Sequence, residues 1–138
     1  PMQWTAGTNA GFSTAPAEAL YSPVIDDPVF GYQRINVAAQ REDPNSLLNW
    51  MRRLVATRQE HPCFGRGTFE LVETGHSGVL AYWREYEGER LLVLHNLTDA
   101  RVDRVATENP SVDLLSGAPY PAGFCHLAPY QYLWLQQT

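Results

Sequence analysis

Val79-Leu80-Ala81-Tyr82-Trp83-Arg84-Glu85-Tyr86, then Glu87-Gly88-Glu89, then Arg90-Leu91-Leu92-Val93-Leu94-His95-Asn96-Leu97: two apolar, aromatic-rich runs flank a short polar link that contains a glycine. This is the pattern of an antiparallel hairpin. Working outward, Thr68–Thr74 and Ala100–Val105 read as further strands, set off by the turns Thr74-Gly75-His76-Ser77-Gly78 and Thr98-Asp99. Short strands at this spacing predict an antiparallel sheet or sandwich. A less regular section follows, carrying Pro110, Gly117, Pro119, Pro121 and Gly123, and Tyr130–Gln136 closes the module. In that last run Tyr130, Tyr132 and Trp134 share one face and Leu133 and Leu135 the other. A strand with large apolar groups on both faces is expected to be covered on both, with the leucines in the core.

Upstream of Gly65 the pattern changes. Asp43 reads as an N-cap and Pro44 as the first helical residue, where a missing N–H costs nothing. Leu47, Met51, Leu54 and Val55 recur at helical spacing. Pro62 biases His61 away from helical geometry, so the helix is expected to end near Gln59–His61. Before it, Pro1 to about Glu42 reads as loop, with small residues around Gly7–Gly11 and prolines at 16, 23 and 28. Some forty irregular residues are unusual in a compact domain unless they are functional or cover another surface. The aromatic residues Trp4, Phe12, Tyr21, Phe30 and Tyr32 favour the second reading, with the covered surface lying outside this chain. The fold class expected is α+β: an extended arm and one helix over 1–64, then an antiparallel β-sandwich over 65–138.

Composition narrows the function classes. Ten basic against fifteen acidic residues give a net charge of -5, and every basic residue is arginine. No basic stripe or acidic tail interrupts the dispersed charges, so nucleic acid is not an expected partner. No apolar run approaches the ~18 residues of a membrane-spanning helix, so neither is a membrane. Two cysteines are too few for a disulfide framework and set no redox compartment. A cytoplasmic setting is expected. The opening Pro1-Met2-Gln3-Trp4 reads as the middle of a longer polypeptide. Asn96-Leu97-Thr98 is a sequon.

A search for chemistry returns little. His61 and Cys63 with Cys125 and His126 supply a two-cysteine, two-histidine set, but their spacings are not those of zinc knuckles. Cys125 and His126 are strand neighbours and point to opposite faces, which disfavours a nucleophile–base pair. No Gly-x-Ser-x-Gly elbow occurs, and Gly65-Arg66-Gly67 is no phosphate loop. No catalytic residue, metal ligand or cofactor is therefore expected in this chain. The aromatics of the β module (Tyr82, Trp83, Tyr86, Tyr120, Tyr130, Tyr132, Trp134) suit a core or interface first and a sugar-stacking platform second.

One resemblance is specific. Pro1-Met2-Gln3-Trp4 with Asn9-Ala10-Gly11-Phe12-Ser13, and Tyr32 through Asn36-Val37-Ala38-Ala39-Gln40, resemble the segment after the last catalytic motif in the oligoglucosidase-like branch of the α-amylase family. Asp43-Pro44-Asn45-Ser46-Leu47-Leu48-Asn49-Trp50, Arg58, His61-Pro62 and Phe64-Gly65 resemble the last barrel helix of that branch. Phe64-Gly65-Arg66-Gly67-Thr68 and Leu127-Ala128-Pro129-Tyr130-Gln131-Tyr132-Leu133-Trp134-Leu135 are most similar to members that interconvert maltose and trehalose.

The resemblance implies the last turn of a (β/α)8 barrel followed by a C-terminal β domain. The family's catalytic aspartates and glutamate have no counterpart in these 138 residues. Two carboxyls held about 5 Å apart on a rigid frame are what a retaining mechanism requires, and one βα unit cannot assemble them. The implied role is scaffold and active-site edge, with Gln3, Trp4, Asn9 and Phe12 on a loop at the pocket rim. The implied partners are the remaining barrel, maltose and trehalose as substrates of the whole enzyme, and a second copy of the chain. The competing expectation is a carbohydrate-binding or assembly module of another family member.

Overall fold

The computed structural model describes residues 1–138, which form two compact units, Pro1–Leu54 and Val55–Thr138. In the second unit the hairpin forms as read. β1 (Glu70–Leu71), β2 (Val79–Tyr86) and β3 (Glu89–Asn96) precede β4 (Val102–Thr107), β5 (Ser111–Asp113), β6 (Pro119–Tyr120), β7 (Gly123–Leu127) and β8 (Tyr132–Gln137). Tyr86 pairs with Glu89, leaving Glu87 and Gly88 as a two-residue turn with φ of 50° and 87°. Such turns match the twist of the strands they join but need left-handed backbone at both positions, which Gly88 supplies at no steric cost.

One antiparallel sheet runs β1-β2-β3-β8-β5-β6 and a second pairs β4 with β7. Between them, Ala81, Trp83, Leu92, Leu94, Leu133 and Leu135 meet Val105 and Leu127 in one buried cluster. β3 is buried on both faces, since Leu91 and Val93 meet Cys63 and Phe64 on the far side. That explains why Leu91–Leu94 reads as an unbroken apolar run rather than an alternating one. The closing strand is central, paired to β3 and β5, with Leu133 and Leu135 in the sandwich core and Trp134 turned outward. Tyr130 departs from expectation: it sits in a turn before β8 at φ 55°, largely exposed.

Strand lengths differ from the reading. Thr68–Thr74 contributes only two residues of strand, and β5, β6 and β7 arise where prolines and glycines suggested irregular chain. These strands are two to five residues long, too short for period-two patterning to be seen. β4 carries a register shift between Val102 and Val105, where Arg104 adopts φ 60° and stacks 4.3 Å from the Phe124 ring.

Three α-helices occur: α1 (Val37–Glu42), α2 (Leu47–Glu60) and α3 (Cys63–Arg66). α1 replaces expected loop, capped by the Asn36 side chain, which accepts from the Ala39 N–H at 2.9 Å. α2 starts three residues later than read. Asp43 ends α1 instead, and Ser46 Oγ accepts the Asn49 N–H at 3.2 Å as the cap of α2. Asn49 donates to the carbonyls of Gln40 (2.9 Å) and Asp43 (2.8 Å), fixing the corner between α1 and α2. Along α2, Leu47, Met51 and Val55 recur every four residues and are 68%, 45% and 47% exposed, an apolar stripe with no cover in this chain.

Candidate functional site

The arm is built onto α1. The first N–H groups of a helix lack intrahelical acceptors, and here Val37 and Ala38 donate to the carbonyls of Gln3 (2.9 Å) and Trp4 (3.0 Å). Those bonds fix the backbone of the first two candidate residues. Gln3 is further tied down, its Nε2 donating to the Phe30 carbonyl at 3.2 Å, while the Trp4 side chain stays 45% exposed.

Beyond Thr5 the chain turns sharply through Thr8–Gly11, with Asn9, Ala10 and Gly11 all left-handed at φ of 50°, 58° and 69°. For a residue with a β-carbon this region costs about 1–2 kcal/mol. Hydrogen bonds offset that cost. Ala10 O accepts from both Trp4 N–H (2.8 Å) and Thr5 N–H (3.0 Å), and Asn9 Nδ2 donates to Ala15 O (2.7 Å) and Ser13 O (3.2 Å). Only glycine fits at position 11, because a β-carbon there would lie 2.6 Å from Thr5 Oγ1.

Asn9 and Ala10 are buried, whereas Phe12 is half exposed. Thr8, Gly11, Phe12, Ser13 and Thr14 line an open recess of about 690 Å³. The four candidate residues thus divide. Asn9 builds the turn, Phe12 lines the recess, Trp4 is joined to the turn through its backbone, and Gln3 points instead to Phe30. The lining offers an aromatic ring and hydroxyls with no ionisable group. It can hold a neutral polar ligand and contributes no acid or base. Ala10, whose carbonyl joins the two limbs of the loop, escaped sequence reading. Asn9 and Gly11 are compatible with left-handed backbone, but an alanine between them gives no such signal.

The other chemistry-bearing residues lie in the second unit. His61 Nδ1 contacts Glu89 Oε1, and Gln136 Nε2 donates to the same oxygen at 3.3 Å. Burial opposes ionisation of Glu89, but hydrogen bonds from His61 and from the Cys63 thiol, with the His61 charge, outweigh it and hold the carboxyl below its ordinary range. Conversely, burial and then the Glu89 carboxylate push Cys63 up to about 12, so it is a protonated donor rather than a nucleophile. Cys125 lies half-buried on β7, and no group of three or more His, Cys, Asp or Glu is placed to hold a metal ion. The sequon asparagine is sealed: Asn96 is 2% exposed and its amide donates to Ala100 O and Ala128 O.

Comparison with known proteins accounts for nearly the whole chain. Residues 1–67 match the family model for the alpha amylase catalytic domain, and residues 69–134 match that for the maltogenic amylase C-terminal domain. A trehalose synthase of Pimelobacter is 41% identical over 131 residues, covering 88% of this chain and 23% of its own length. The trehalose synthase/amylase TreS of Mycobacterium tuberculosis is 46% identical over 101 residues, covering 71% of this chain and 17% of its own. Among solved structures, the trehalulose synthase MutB from Pseudomonas mesoacidophila superposes with a TM-score of 0.74 at 27% identity, over 99% of this chain and 24% of that one. The chain spans less than a quarter of the length of these curated relatives.

Proposed function

The chain belongs to the α-amylase family, and from that premise we propose that it is the C-terminal part of a trehalose synthase. The observation that carries this reading is the 41–46% identity to trehalose synthases, which extends over 71–88% of the chain. Identity to the trehalulose-forming relative, at 27%, is much lower. The whole enzyme then interconverts maltose and trehalose. As the α-1,4 bond of maltose breaks, one enzyme carboxyl gives its proton to the departing glucose oxygen and a second, ionised carboxylate takes up the other glucosyl unit; the first then accepts the proton of the retained glucose's anomeric hydroxyl, whose attack forms the α,α-1,1 bond and frees the second.

Neither carboxylate of that mechanism is assigned to this chain. Its share is structural: the arm with Gln3, Trp4, Asn9 and Phe12 at the rim of the substrate pocket, and the β-sandwich as support. The partner is the remaining (β/α)8 barrel, and the uncovered stripe Leu47, Met51 and Val55 supports such a covering surface. No cofactor is called for in this division of labour. A cytoplasmic setting is part of the same reading, and the two unpaired thiols suit it. A sugar-binding module is less well supported, since Trp83 is only 7% exposed and Trp134 packs 4.5 Å from the Phe64 ring.

The test is reconstitution. Co-expressing the chain with the barrel portion of the enzyme is expected to give conversion of maltose to trehalose that neither part gives alone. A complex that hydrolyses maltose or isomerises sucrose, but forms no trehalose, would place the chain elsewhere in the family.

A further inference from the structure

Three consecutive left-handed residues, two of them carrying β-carbons and both nearly sealed from solvent at 6% and 1% exposure, are the most strained feature of the first unit. Strain of this kind persists only where the surroundings over-determine it, and it gathers at ligand clamps and active sites. The over-determining groups are plain. The Asn9 amide reaches forward to the carbonyls of Ser13 and Ala15, and the Ala10 carbonyl reaches back to the amides of Trp4 and Thr5. Phe12 and Thr14, which line the recess, belong to the stretch that these two clamps hold.

We propose that Asn9 is a positioning residue of the sugar site. By clamping the carboxy-terminal limb of the turn it sets the Phe12 ring and the Thr8 and Thr14 hydroxyls around a recess that receives one glucosyl ring of the disaccharide. The chemistry matches, because a pyranose offers an apolar C–H face and a rim of hydroxyls, and the lining supplies one ring and hydroxyl partners without charge. Asparagine suits the position twice, tolerating left-handed backbone and carrying the two donors the clamp uses. This inference rests on the reading of the arm as a pocket edge.

The experiment uses the reconstituted enzyme with maltose as the probe, and compares Asn9→Ala, Asn9→Gly and Phe12→Ala. Loss of one aromatic stacking contact corresponds to roughly three- to tenfold in affinity. Phe12→Ala is therefore expected to raise KM by about that factor with kcat nearly unchanged, the signature of lost uniform binding. Asn9→Ala and Asn9→Gly are expected to do the same, and both should speed amide hydrogen exchange at Phe12 and Ala15, whose N–H groups are bonded within the limb that the Asn9 side chain holds. Asn9→Gly keeps the left-handed tolerance, so an effect shared by both variants belongs to the clamp and not to the backbone preference. If Phe12→Ala leaves KM unmoved, the pocket-edge reading itself fails. If Phe12→Ala raises KM but neither Asn9 variant does, or if the Phe12 and Ala15 amides stay protected in both, the positioning role of Asn9 is overturned while the pocket edge stands.

Discussion

Asn96→Asp is an almost isosteric change that tests how the β4–β7 layer is tied to the central strands. In the native chain Asn96 Nδ2 donates to Ala100 O at 2.7 Å and Ala128 O at 2.8 Å, while Oδ1 accepts from Thr98 N–H at 3.0 Å and Thr98 Oγ1–H at 2.8 Å. Aspartate keeps the second pair and turns an oxygen toward the first pair of carbonyls. Leaving a buried polar group unpaired costs about 1–3 kcal/mol. Ala100 and Ala128 are themselves exposed, so water relieves part of each loss and the expected total is roughly 2–3 kcal/mol at neutral pH. Facing two carbonyl oxygens, the new carboxyl keeps its proton to higher pH when folded than its ordinary ~3.9 when unfolded. The unfolded state then binds fewer protons over that interval, so stability falls as pH rises through it and recovers as pH drops toward about 4. The assay is urea unfolding by tryptophan fluorescence at pH 4 to 7. The variant is compared with the parent at each pH, so that shared carboxylates cancel. A parent-like midpoint at pH 7, or a loss of equal size at both ends, would show that this amide does not hold the two carbonyls.

Other perturbations address separate parts of the chain. Leu133→Ala, at a site 2% exposed between the sheets, is expected to cost roughly 2–5 kcal/mol in the same unfolding assay, and a loss under about 0.5 kcal/mol would place the strand inside out. Glu89 is held below the ordinary carboxylate range, so its contribution is present above that range and lost as pH falls through its lowered value; Glu89→Gln should flatten the acid limb of the stability curve, and an unchanged limb would remove the His61–Glu89 contact from the account. The 138-residue chain alone should show no turnover of maltose, trehalose or nitrophenyl glucosides, and any turnover by contaminant-free material would contradict the proposal that the catalytic carboxylates belong to the partner barrel. It should also bind a hydrophobic dye or self-associate through Leu47, Met51 and Val55, and Met51→Glu should reduce both; a dye-silent monomer would count against a missing covering surface.

What the sequence made legible was what periodicity carries. β2, β3 and β8 are long enough for alternation, and period two alone assigns Leu133 and Trp134 to opposite faces. α2 was legible in its body and end, but its start was misread, because Asp43 and Pro44 make as good a local start signal as Ser46 does. The choice between them was made by the bonds from Asn49 and Ser46 to the Gln40 carbonyl, a tertiary corner that no local rule contains. β5 to β7 were hidden by brevity and by Pro119 and Gly123. At the candidate site, Phe12 and Asn9 were reached through resemblance rather than physics, and the left-handed turn that joins them was unreadable. Of its three residues Gly11 favours that backbone and Asn9 tolerates it, whereas Ala10 is held there by amides six and five positions upstream.

The small helix Cys63–Arg66 bears on how such chains can be recombined. Phe64 lies within the catalytic-domain match, yet its ring packs on Trp134 of the closing strand, and Arg84 of β2 donates to the carbonyls of Cys63 (3.0 Å) and Phe64 (2.8 Å). The junction between the two family models, at residues 67–69, therefore falls downstream of a piece that the β-sandwich uses as a lid. A chimera spliced at that junction would pair the sandwich with a foreign lid and uncover Leu91 and Val93, whereas one spliced upstream of Val55 would carry lid and sandwich together as a single inheritable cassette.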